Sequence, residues 1–152
     1  MMEKFDFLLG TWHLDYRVPK SPLSEAMTGG GTGTVKRALK DKYVCFDYEA
    51  TLSTGGEPVG AHAVFAWDEK SKIYRYWWFE DSGSFMTASG YFLDDQTLYL
   101  NWHDTPFVQT FKKAGPDSVI LKMAAPNPEG TYETVLEVHL TRKSGDKRKG
   151  RP

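Results

Sequence analysis

The chain has 152 residues, with 19 Lys plus Arg against 20 Asp plus Glu, nine Phe, eight Tyr, five Trp and one cysteine. That length fits one domain and leaves no room for a second catalytic domain, while a hydrophobic share of 40% and a charged share of 26% exclude wholesale disorder. Cys45 alone excludes an internal disulfide and a multi-cysteine metal site, and no apolar run approaches a membrane span. The opening Met1, Met2, Glu3, Lys4, Phe5, Asp6 carries two acids and a very short apolar stretch, which does not make a signal peptide. A cytoplasmic location is the expectation.

Charge is uneven. The segment from Lys143 to Pro152 holds five bases (Lys143, Lys147, Arg148, Lys149, Arg151) and one acid, leaving 14 bases against 19 acids in residues 1–142, a net of −5. A body of that sign repels phosphate backbones and disfavours a nucleic-acid module. Residues 1–143 read as one domain and 144–152 as a basic, solvated tail, since the tail offers no aromatic or apolar group to dock.

From Glu3 to Leu9, Phe5, Leu8 and Leu9 share one helical face before Gly10, which predicts a short helix. Beyond it, period-2 runs rich in Val, Thr, Phe, Tyr and Trp predict strands almost throughout. The first is Thr11 to Val18, with Trp12, Leu14, Tyr16 and Val18 on one side. A Gly-rich loop from Thr28 to Gly33 leads to a second strand ending near Leu39. The third runs Tyr43 to Ser53, and Thr54, Gly55 and Gly56 make a hairpin turn to the fourth, Pro58 to Asp68. The fifth, Ile73 to Glu80, sets Tyr74, Tyr76 and Trp78 against Arg75, Trp77 and Phe79; aromatic on both faces, it is expected to be covered on both. Strands six to nine follow as Phe85 to Leu93, Thr97 to His103, Phe107 to Lys113 and Ser118 to Met123. The tenth, Thr131 to Arg142, alternates Tyr132, Leu136, Val138 and Leu140 with Glu133, Glu137, His139 and Thr141.

The fold class predicted is all-β: about ten strands in an antiparallel up-and-down barrel with a short N-terminal helix, because short hairpin links favour a meander and closure removes its edges. A barrel of that size encloses either packed side chains or one small ligand. The many aromatics fit a ligand wall or a filled core, and the residues alone leave both open.

Phe5, Asp6, Phe7, Leu8, Leu9, Gly10, Thr11, Trp12 resembles the opening of lipocalin-like barrels of the calycin superfamily, where a short helix precedes Gly-x-Trp on the first strand. In that resemblance Arg142 corresponds to a late arginine packed over the tryptophan, closing one barrel end. With Trp77, Trp78, Phe79, Glu80, Asp81, Ser82 and the ending Leu140, Thr141, Arg142, residues 5–143 are similar to a bacterial domain family of unknown function. The nitrobindins share this opening, and resemblance to them would imply haem held by a late-strand histidine. Here His13, Leu14, Asp15, Tyr16 replace glycines after the tryptophan, and His139 lies nearer the terminal arginine and on a polar face. No cofactor is therefore expected, haem included.

His13, His62, His103 and His139 show no metal-ligand spacing, so no metal is expected. The run Gly29, Gly30, Gly31, Thr32, Gly33 lacks the Lys-Ser/Thr of a P-loop and enters a strand instead of a helix. No serine sits in a Gly-x-Ser-x-Gly elbow. On strand seven Tyr99, Asn101 and His103 oppose Leu98, Leu100 and Trp102: the polar row lines a cavity if Leu and Trp face an outer layer, and is solvated if they face the core. Arg75 is a candidate carboxylate partner, and Tyr48, Tyr76, Trp78 and Tyr91 are candidate wall residues or core. The first expectation is a barrel binding a small hydrophobic or aromatic molecule. The second is an isomerase, cyclase or decarboxylase on the same scaffold using His103 or Glu80 as acid/base, an argument by analogy of fold. A third is a filled barrel whose aromatic fifth strand meets a second copy as a homodimer.

Overall fold

The structure, a computed structural model, describes residues 1–22, 24–53 and 55–143. A 3-10 helix, Met2–Leu8, precedes ten strands: β1 Gly10–Val18, β2 Met27–Ala38, β3 Tyr43–Leu52, β4 Val59–Asp68, β5 Ile73–Glu80, β6 Phe85–Asp94, β7 Thr97–Trp102, β8 Val108–Gly115, β9 Ser118–Pro126 and β10 Tyr132–Arg142. Each pairs antiparallel with its chain neighbour, and β1 pairs with β10 to close the barrel, Trp12 opposite Arg142. Closure leaves no unpaired strand edge. The predicted basic tail, 144–152, lies outside the described residues. None of the described helices is long and apolar enough to cross a membrane.

Two segments differ from expectation. The glycine run is not a loop but the first half of β2, where Trp12, Leu14 and Tyr16 pair with Gly33, Gly31 and Gly29. These three glycines therefore share the inward face, and a methyl group on Gly31 would sit 1.9 Å from the Glu49 carbonyl oxygen of β3. Bare backbone there lets β2 and β3 coil tightly against each other. In β10 a bulge between Thr134 and Leu136 breaks the expected alternation, so that Val135 and Leu136 both face the interior while Tyr132 is exposed.

One end of the barrel is filled. The N-terminal helix buries Phe5, Phe7 and Leu8, and Phe5 packs against Phe65, Phe92 and Tyr74 with ring centroids 4.9, 5.4 and 5.5 Å apart. Trp12 is fully buried, and its indole N–H donates to the Leu8 carbonyl at 2.9 Å. Arg142 lies over that indole, 4.2 Å from the ring centroid, and is held by Asp117 and the Leu9 carbonyl. The cation closes this end as a lid on the tryptophan face. The outer face of β5 has no covering element among the described residues: Phe79 is 42% exposed, and Phe85 beside it 70%.

Candidate functional site

Toward the other end the interior is hollow. The inward side chains of β1 and of β3 through β10 enclose a cavity of about 570 Å³. Its wall includes Tyr16, Tyr48, Tyr76, Trp78, Trp102 and Phe107, with Leu14, Met86, Leu121, Met123, Val138 and Leu140 as aliphatic surface. Val18, Leu52, Val59 and Thr105 stand at the mouth, where the β1–β2, β3–β4, β5–β6, β7–β8 and β9–β10 connections meet. The choice between a filled and a hollow barrel thus resolves by level, packed beneath and hollow above.

A few polar groups interrupt the apolar wall. The Trp78 indole N–H donates to the Tyr48 hydroxyl at 2.7 Å, and the Trp102 indole N–H to Gln109 Oε1 at 3.1 Å. Gln109 also lies beside the Tyr76 hydroxyl and draws its pKa down against the larger effect of burial. Burial raises the hydroxyl pKa of Tyr16, Tyr48 and Tyr76, and the mutual repulsion of their ionised forms adds to it for Tyr16 and Tyr76; for Tyr48 the Glu80 carboxylate adds to it against the opposing Trp78 bond. These phenols are therefore neutral donors and acceptors in the cavity across the physiological range.

That shift has a consequence at high pH. Each buried phenol ionises at about pH 10 in the unfolded chain and only above that in the fold, so the stability it confers is complete below pH 10 and lost as pH rises beyond it. In an absorbance titration at alkaline pH, Tyr16, Tyr48 and Tyr76 are expected to ionise only in one step with loss of the β signal in circular dichroism. A single smooth titration of all eight tyrosines in the intact fold would contradict this burial.

Of the residues singled out in the sequence, Tyr48, Tyr76, Trp78 and Glu80 line the cavity. The other five do not. Leu98, Leu100 and Trp102 are buried, which turns Tyr99, Asn101 and His103 to the outside of β7. There His103 bonds the hydroxyls of Thr87 at 2.7 Å and Ser89 at 2.9 Å, on the outer surface of β6. Tyr91 packs on Tyr99 on the same outer surface and is 50% exposed. Arg75 pairs with Asp68 at 3.1 Å on the outer face of β5, so its guanidinium is already committed to a carboxylate of this chain. His139 also faces outward, against Glu137, and holds its carboxyl below the usual range. Residues passed over in the sequence include Tyr16, Gln109, Phe107 and the β10 bulge residue Val135; the alternation of β1 already put Tyr16 on the Trp12 face, but nothing local marks a bulge.

No family model matches this chain, and no curated protein matches it. Solved structures do. The S-type phycobiliprotein lyase CPES from Guillardia theta is similar with a TM-score of 0.70 at 11% identity, over 94% of this chain and 92% of that one. The M. tuberculosis protein Rv2717c is similar at 0.68 and 11%, over 93% and 96%. A redesigned β-barrel, mFAP0, bound to DFHBI, is similar at 0.51 and 12%, over 90% and 99%. Identities this low show a shared closed-barrel fold and nothing finer.

Proposed function

We propose that this barrel binds one small, flat, apolar or aromatic molecule in its open half. The observation that carries the reading is the 570 Å³ cavity, whose aromatic and aliphatic wall is broken only by a few placed polar groups. That volume lies within the range of small-molecule sites. Aromatic rings supply area, and Tyr48, Tyr76, Gln109 and Trp78 supply donors and acceptors that fix orientation. Support from likeness is limited to the fold, in that similar barrels include one bound to the small molecule DFHBI and one named for phycobiliprotein lyase activity. Of the two side chains expected to serve acid/base chemistry, only Glu80 touches this space.

The test is equilibrium binding of 1-pyrenemethanol, a neutral fluorescent aromatic, followed by its emission. Saturable one-to-one binding is expected. Ala61→Trp, which puts an indole into the cavity from β4, is expected to weaken it about tenfold or more, and His103→Ala, on the outer wall, to leave it unchanged. No saturable binding, or equal affinity in Ala61→Trp with the fold intact by circular dichroism, would overturn the reading.

A further inference from the structure

The cavity wall is nearly free of charge, with one exception at its mouth. Among the described residues that line it, Glu80 carries the only formal charge. It is the last residue of β5, and the alternation that sends Tyr74, Tyr76 and Trp78 inward sends its carboxylate inward too. The Ser82 hydroxyl donates to Oε1 at 2.6 Å, and Oε2 has no hydrogen-bond partner among the described residues. The group is thus held in place with one oxygen available. Its charge reaches the Tyr48 hydroxyl inside the cavity.

What surrounds Glu80 is equally one-sided. Some acids elsewhere are paired with a base, Asp6 with Arg37, Asp68 with Arg75 and Asp117 with Arg142, while others, such as Asp15 and Glu49 on outward strand faces, are in no ion pair among the described residues. No ion pair among the described residues includes Glu80. The five connections around the mouth carry Glu25, Glu57, Asp81, Asp104 and Glu129, one acid each, against the single base Lys20. None of these five acids is in an ion pair among the described residues either. A low-dielectric cavity opening through a rim with this excess of acids focuses the field at its mouth and draws in ions of the opposite sign. It equally repels anions.

Resting on the cavity reading above, we propose that the molecule taken is a monocation: a flat apolar body seated among Trp78, Phe107 and Met86, with an ammonium or amidinium group directed outward to Glu80. An aromatic wall beside a carboxylate suits such a group twice, through the ring faces and through a charge-assisted hydrogen bond to Oε2. An anion of the same shape would place its charge against Glu80 with no basic side chain in the described wall to receive it.

The experiment compares three pyrene probes of one shape and different charge: 1-pyrenemethylammonium, 1-pyrenemethanol and 1-pyrenecarboxylate, at low and high salt. The wild-type protein is expected to bind the ammonium about tenfold more tightly than the alcohol, and the carboxylate more weakly than the alcohol. In Glu80→Gln the ammonium-to-alcohol ratio is expected to fall to within about threefold of one, with alcohol binding showing that the cavity is formed. Equal wild-type affinity for ammonium and alcohol overturns the proposal. So does a preference that survives in Glu80→Gln and disappears only with salt, because the rim alone then supplies it. If none of the three probes binds, the cavity reading itself has failed, and this proposal with it.

Discussion

Trp12→Ala is expected to lower the free energy of unfolding by about 3–5 kcal/mol, as removal of a wholly buried large aromatic does. Trp12 has no exposed surface and occupies the filled end of the barrel between the N-terminal helix and the last residue of β10. Its loss removes three things together. The indole leaves a void among packed neighbours, the Leu8 carbonyl loses its donor, and the Arg142 guanidinium loses the ring face beneath it. Arg142 is itself only 8% exposed, so its charge would then sit over a cavity with Asp117 as its carboxylate partner. Urea unfolding followed by circular dichroism reads the change. A loss under about half a kcal/mol, the range of ordinary surface substitutions, would mean that the tryptophan does not join helix and barrel.

Gly31→Ala is expected to cost about 2–4 kcal/mol although it adds a single methyl group, because overpacking against backbone has no flexible side chain to relieve it. The new carbon would lie 1.9 Å from the Glu49 oxygen and 2.8 Å from the Ala50 Cα, and β2 and β3 must part to admit it. Gly30, one residue earlier, supplies the control. Its added carbon would point outward and meet only the Leu14 carbonyl oxygen at 3.4 Å, so Gly30→Ala is expected to change stability by no more than about half a kcal/mol. Equal unfolding midpoints for the two variants would show that close approach of β2 to β3 is not what the inward glycines provide.

Strand count and most strand limits were legible in the residues, because alternation over eight to ten positions between turn residues has few other meanings. Ile73–Glu80 stands in the structure at the limits expected of it. The turn at Gly55 and Gly56 also stands, with φ of +90° and +92°, where other residues would be strained. The sense of each strand was harder to read. Strand β7 carries large side chains on both faces, and alternation alone does not say which face is the interior. The missing link was register: Trp12 and Arg142, paired across β1 and β10, fix one inward position, and each hairpin passes that sense to the next strand. Following it puts Leu98 inside and Tyr99, Asn101 and His103 outside. The glycine run misled because glycine ordinarily weakens a strand; here the strand is held by neighbours on both sides, and close approach outweighs the lost propensity. The bulge in β10 had no local sign at all, since it follows from fitting one strand to the curvature of the others.

Because the helix stoppers one end, the hollow half is a cup and not a tube. Whatever enters must leave by the way it came, and the water it displaces must pass it in the same opening. The dwell time of an occupant is then set at the brim, by five short connections that take no part in the Phe5–Phe65–Phe92 packing below. Changes there can retune how fast the cup fills and empties while the base that holds the vessel together is untouched.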